Sequence, residues 1–271
     1  MPEGHVLHRL ARTLEDDFGS KPVAVTSPQG RFAESAALLD GCVLSGAEAC
    51  GKHLFIAFDA PVAEPIVHVH LGLIGKLQFT PLTEPVGQVR LRITDGITAA
   101  DLRGPQTCRT LSPSQMVAEI AKLGPDPIRV DADPEVAWRR IHASGRSIAS
   151  LLMDQRVTAG VGNIYRAEVL FRHHVAPTCP GNKLKRATWD AIWTDLVVLM
   201  RDGVAVGRID TVLPDHSPEV QGRAPRVDRH GGEVYVYRRA GDPCLVCGHP
   251  VKVADLEGRN LYWCSTCQRR H

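Results

Sequence analysis

With 271 residues the chain can bury a sizeable core, and its length suggests about two domains. A composition of 44% hydrophobic and 23% charged residues, with 24 Gly and 19 Pro, excludes a disordered or fibrous chain, and no apolar run approaches the roughly 18 residues of a membrane span. A formal charge of +2 singles out no partner, but from Arg223 onward nine Lys and Arg stand against five Asp and Glu, so the C-terminal stretch is where a phosphate backbone is expected.

No secretory layout is visible at the start, so a cytoplasmic protein is expected, associated with the nucleoid in a bacterium. Behind Met1-Pro2-Glu3-Gly4, the apolar residues Leu7, Leu10, Ala11, Leu14 and Phe18 predict an amphipathic helix. Residues 20–115 read mostly as antiparallel sheet, with strand-like Ile66 to Leu71 and alternating Val89, Leu91 and Ile93. Gly124-Pro125-Asp126-Pro127 breaks this pattern and places a boundary near 128. Helices are then expected over Ser147–Gln155, over Ile164–His174, and around Trp189 to Met200 behind Thr188 as N-cap. Residues 207–232 lack periodicity and read as an exposed loop or mobile lid, after which Val234 to Tyr237 predicts a strand.

Eight cysteines include Cys244-x-x-Cys247 and Cys264-x-x-Cys267, sixteen residues apart (248 to 263), the spacing at which two thiolate pairs close a tetrahedral zinc site. Four sulfurs leave no position for water, so this zinc is structural, one per chain. Val251 and Val253, then Leu261-Tyr262-Trp263, predict two strands joined by a turn at Glu257-Gly258-Arg259-Asn260. Arg259 then stands at the tip, as a phosphate-binding fork or as a solvated turn residue. The remaining Cys42, Cys50, Cys108 and Cys179 are expected as unpaired thiols.

Removal of Met1 would leave Pro2 with a free secondary amine, roughly a tenth of it neutral at pH 7 on a generic α-amino value, and the helix N-terminus disfavours its protonation further. Such an amine attacks an anomeric carbon, and Glu3 beside it is placed for proton transfer. The same pair is also an ordinary start to a helix.

Four stretches carry a resemblance: Pro2-Glu3-Gly4, Gly51-Lys52-His53-Leu54, Asp154-Gln155 through Gly160-Val161-Gly162-Asn163-Ile164-Tyr165, and the cysteine hairpin with Gly258-Arg259. In this order they resemble the formamidopyrimidine-DNA glycosylase and endonuclease VIII family. The resemblance implies a multidomain α+β protein: an N-terminal antiparallel β-sandwich with flanking helices (1–128), a helix–two-turns–helix DNA-binding domain (129–230) and a zinc-finger hairpin (231–271). It implies a bifunctional glycosylase and AP lyase of base excision repair, acting as a monomer on damaged DNA through a proline Schiff base and β,δ-elimination. By matching positions Pro2 is the nucleophile, Glu3 the proton donor, Lys52 the hairpin lysine on the phosphate and Arg259 the arginine of the second elimination. Asn163 and His70 match phosphate contacts, although His68 and His70 also read as two side chains on one strand face, and Leu73 matches the residue that fills the void left by an everted base.

The chain departs from the pattern in three places. His5 and Val6 stand where the family often repeats Pro-Glu, Leu73 stands where the purine-directed branch has Met, and Ala149 where that branch has Lys. The last two favour oxidised pyrimidines and ring-opened lesions. The alternatives are a catalytically degenerate paralogue that binds damaged DNA, and a zinc-ribbon protein that docks other proteins.

Overall fold

A computed structural model of the chain describes residues 2–228 and 232–269. Met1, whose removal is expected, residues 229–231 of the expected 207–232 loop or lid, and residues 270–271 at the end of the finger lie outside the described residues. Two compact units are present, Met1–Lys122 and Leu123–His271.

The first unit runs α1 (Gly4–Phe18), β1 (Ala24–Thr26), α2 (Ala33–Leu39), β2 (Val43–Cys50), β3 (His53–Asp59), β4 (Ile66–His70), β5 (Lys76–Pro81), β6 (Val89–Thr94), β7 (Thr98–Arg103), β8 (Thr107–Leu111) and α3 (Pro113–Ile120). Its strands form two four-stranded sheets in the orders β1-β6-β7-β5 and β2-β3-β4-β8, with every pairing antiparallel. One core joins Leu54, Ile56, Val67 and Val69 of the second sheet to Leu91, Ile93, Ala100 and Leu102 of the first. The stripe Leu7, Ala11, Leu14 and Phe18 of α1 enters the same core, as its spacing predicts.

Two helices interrupt or follow the region read as sheet. In α2 only Ala36 and Leu39 are buried, and α3 buries none of its residues. The latter is held instead by a capping box between Ser112 and Gln115, with Pro113 in its first turn.

The second unit contains α4 (Pro134–His142), α5 (Ile148–Met153), α6 (Asn163–Arg172), α7 (Arg186–Val206), α8 (Pro218–Gln221), β9 (Lys252–Leu256) and β10 (Arg259–Trp263). The cap of α7 is Lys185 rather than Thr188, because Arg186 pairs with Asp190 at 2.8 Å and with Glu135 at 2.6 Å and so adds a turn at the start. Trp189, Leu196 and Met200 of α7 and Tyr165 of α6 share a core with Tyr235, Val251, Leu261 and Tyr262 of the C-terminal segment.

Val234 to Tyr237 is not a strand among the described elements. The fully buried Glu168 of α6 accepts hydrogen bonds from the backbone N–H groups of Tyr235, Val236 and Tyr237 at 2.7, 2.9 and 2.8 Å, and from the Thr211 hydroxyl at 2.7 Å. A carboxylate thus takes the amides that a neighbouring strand would have taken.

The segment after α7 is also more ordered than its composition suggests. It holds a 3-10 turn at Pro214–His216 and the short α8. The Tyr235 hydroxyl accepts from Leu213 N at 3.0 Å, Arg223 meets Glu233 at 2.6 Å, and Gln221 Nε2 donates to Leu245 O at 2.8 Å. No helix among the described residues is long and apolar enough to cross a membrane.

Candidate active site

On the first unit, Glu3 is the N-cap of α1 and is 0% exposed, with half-buried Pro2 immediately before it. No side-chain capping hydrogen bond comes from Glu3. Two residues on, burial pushes the His5 imidazole down to about 4, helped by His8 and Arg9, so the start of α1 carries a neutral ring.

Lys52 lies at the tip of a two-residue hairpin between β2 and β3, where Cys50 pairs with His53. Gly51 has φ +59, as the first centre of a type II′ turn requires. His53 faces His70 across β3 and β4, and the Lys52 ammonium, after burial, lowers the His70 imidazole. The structure therefore brings Lys52 and His70 together. Gly72 N donates to His70 Nδ1 at 3.2 Å, which leaves the ring proton on Nε2.

Sequence reasoning named His53 within a motif and His68 on a strand face but assigned neither a role. His53 Nδ1 and His68 Nε2 share a hydrogen bond of 2.8 Å, and His68 stacks on Phe55 with ring centroids 4.9 Å apart. Burial, and after it His68 and His70, push His53 down to about 4; burial, and after it Arg109, does the same to His68, while Glu119 opposes both. The only sequence signal was three histidines at alternate positions of adjacent strands.

These shifts have a definite sign. Unfolded histidines bind protons near 6.5 and these folded ones near 4, so the stability gained from neutral His5, His53 and His68 is whole above pH 6.5 and drains as pH falls towards 4. Calorimetry should show the first unit's melting temperature dropping by several degrees between pH 7 and 4.5, with a shallower drop in His68→Phe. Equal slopes for the two proteins would refute the assignment to this group.

Between β4 and β5 a tight turn closes through Gly75 N to Leu71 O at 3.0 Å. Leu71 is buried, whereas Leu73 is 65% and Ile74 80% exposed. The turn thus holds two aliphatic side chains in solvent, and the sequence reading had named only the first.

On the second unit, Gln155 holds the glycine turn ahead of α6. Its Oε1 accepts from Gly160 N at 3.0 Å and its Nε2 donates to Met153 O at 3.0 Å and Val161 O at 2.9 Å. Hydrogen bonds from Arg156, and after them Arg146, hold the neighbouring Asp154 carboxyl well below the usual carboxylate range, although its burial opposes this. Ala149 is buried in the core. Asn163 opens α6 without lying open to solvent, and its Nδ2 donates to Asn260 O of β10 at 2.9 Å.

Arg259 is the exposed first residue of β10 and pairs with Leu256 across Glu257 and Gly258. Those two residues have φ +53 and +74, the left-handed pair of a type I′ turn. Below the hairpin the sulfurs of Cys244, Cys247, Cys264 and Cys267 all lie within 4.8 Å of one another, with Cys244 to Cys267 at 3.9 Å and Cys247 to Cys264 at 3.5 Å. A tetrahedral zinc with Zn–S bonds of about 2.3 Å sets sulfurs about 3.8 Å apart, so the four thiolates fit that ion and hold it as a structural centre. Both knuckles turn alike, with Gly248 N bonded to Cys244 O and Gln268 N to Cys264 O, each at 2.9 Å.

Zinc-stapled hairpin, helix–two-turns–helix and β-sandwich together define a DNA glycosylase fold. Residues 1–108 match the formamidopyrimidine-DNA glycosylase N-terminal domain, 123–214 the H2TH domain of the same enzymes, and 241–270 the zinc finger found in FPG and IleRS. The chain is 50% identical over 276 residues to Endonuclease 8 1 of Mycobacterium tuberculosis, covering 99% of this chain and 100% of that one. It is 30% identical to the formamidopyrimidine-DNA glycosylase of Corynebacterium aurimucosum, over 100% of this chain and 97% of the other. Among solved structures, Lactococcus lactis Fpg in complex with abasic-site DNA superimposes with a TM-score of 0.80 at 21% identity, covering 99% and 100% of the two chains. The chain belongs to the formamidopyrimidine-DNA glycosylase and endonuclease VIII family, DNA glycosylases of base excision repair with AP lyase activity.

Proposed function

We propose that this glycosylase removes oxidised pyrimidines and ring-opened bases from damaged DNA and then cleaves the strand by β,δ-elimination, working as a cytoplasmic monomer. The observation that carries the reading is a carboxyl group fully withdrawn from water at the start of α1, directly after the proline. The Pro2 nitrogen, its protonation disfavoured by the helix N-terminus, attacks C1′ of the damaged nucleotide. The glycosidic bond breaks, Glu3 supplies a proton, and the sugar ring opens to an iminium ion. Loss of a C2′ proton expels the 3′ phosphate, and a second elimination expels the 5′ phosphate.

Lys52 and His70 grip the lesion phosphate from the first unit, and Arg259 serves the second elimination from the hairpin. Burial and then Lys52 lower the His70 imidazole, and its ring proton on Nε2 suits it to donate to that phosphate. Leu73 fills the space left by the everted base. The pyrimidine preference is supported by Leu73, by Ala149 and by the half-identical relatives named Endonuclease 8.

Borohydride trapping on a thymine glycol duplex tests the nucleophile. The expected result is a covalent adduct, lost when one residue is inserted ahead of Pro2 while binding to the same duplex persists. DNA affinity without an adduct from a chain that mass spectrometry shows to begin at Pro2 would overturn the reading in favour of the degenerate damaged-DNA-binding paralogue.

A further inference from the structure

We propose that Arg166, acting with Asn163, is a positioning residue that fixes the tip of the zinc hairpin and with it the Arg259 guanidinium. The inference rests on the reading of Arg259 as a phosphate-binding group. Among the described residues β10 pairs with β9 alone, so one edge of the strand is left without a strand partner. On that edge Asn260 O, one residue past Arg259, accepts from Asn163 Nδ2 at 2.9 Å and from Arg166 Nη2 at 3.4 Å. Arg166 Nη2 also donates to Asn163 Oδ1. Both functional ends of the Asn163 carboxamide are therefore engaged, one by the hairpin and one by Arg166.

The burial of these groups argues for a purpose. Arg166 is 1% exposed, and Asn163, three residues earlier on α6, is 7% exposed. Placing a guanidinium in a protein interior is costly, and an apolar residue of similar volume would fill the space at least as stably. What an apolar residue cannot supply is a directed donor to one carbonyl and one carboxamide. Arg146 also meets Glu257 at 3.5 Å, with both side chains largely in solvent, where such pairs hold little. A displacement of about 1 Å at a group that grips the reacting phosphate is enough to cost up to about a hundredfold in rate.

The test is a double-mutant cycle on the full zinc-loaded chain. Single-turnover cleavage and affinity are measured on an abasic-site duplex for R166M, R259A and the pair. The expected result is a loss of about tenfold for R166M alone, no further loss when it is added to R259A, and partial recovery in R166K. Equal fractional losses with and without Arg259 would overturn the proposal, because a general effect on folding acts in both backgrounds. If R166M does not fold, R166K is carried through the same cycle and judged by the same criterion. Hydrogen exchange of the 255–262 amides gives a readout independent of DNA: faster exchange in the Arg166 variant supports the proposal and unchanged exchange overturns it. If R259A itself cleaves and binds like the wild type, the phosphate-binding reading of Arg259 fails, and the exchange result alone then decides whether Arg166 holds the hairpin.

Discussion

Glu3→Gln should abolish base excision while leaving cleavage at a pre-formed abasic site largely intact. The substitution keeps the shape and can still hydrogen-bond but removes the acidic proton, and a positioned general acid contributes about 10²- to 10⁴-fold. A loss of that size is expected in single-turnover release of thymine glycol. The helix should survive, because α1 receives no side-chain cap from Glu3 and is held by Leu7, Ala11, Leu14 and Phe18. At an abasic site there is no base to expel, so the iminium forms without that proton and strand cleavage should fall less than about tenfold. Equal losses on the two substrates would mean that Glu3 serves the architecture of the site rather than base release.

The second large effect is expected from the metal. The first four residues of β9, Lys252 to Asp255, are exposed, and an isolated two-stranded ribbon is marginal in water, so zinc and the packing of β10 on the helical core hold this hairpin. Structural zinc in small fingers contributes about 10–16 kcal/mol of apparent binding free energy, far more than the buried side chains of such a ribbon supply. Cys264→Ala removes a fully buried ligand. It should lose stoichiometric zinc, bring the 252–263 amides to rapid exchange and lower abasic-site cleavage by at least about a hundredfold. The melting transition of the first unit should be unchanged. Retention of cleavage in a zinc-free chain would show that the finger is dispensable.

Much of this was legible because its signals are local. The stripe of α1 and each Cys-x-x-Cys pair lie within a short stretch of chain. The missing pieces have physical reasons. α3 buries nothing, so it shows no apolar period, and only its capping box marks it. Val234 to Tyr237 has the alternation of a strand, but its amides are taken by a carboxylate more than sixty positions away in the chain. The roles of His53 and His68 depend on strand register, and that of Gln155 on a turn that folds Gly160 and Val161 back onto its carboxamide. Asn163 was found through its motif, whereas its contact with Asn260 needed the packing of α6 against β10.

The hydrophobic cluster common to the C-terminal segment and helices α6 and α7 bears on how such enzymes diversify. Tyr235, Tyr237, Val251, Leu261 and Tyr262 are covered by Tyr165, Phe171 and their neighbours, so excising the finger would strip both partners of their apolar cover. In this chain the finger is tied to the helices beneath it. A graft between paralogues has to carry its supporting helix along, and drift in one half of this cluster obliges compensating change in the other.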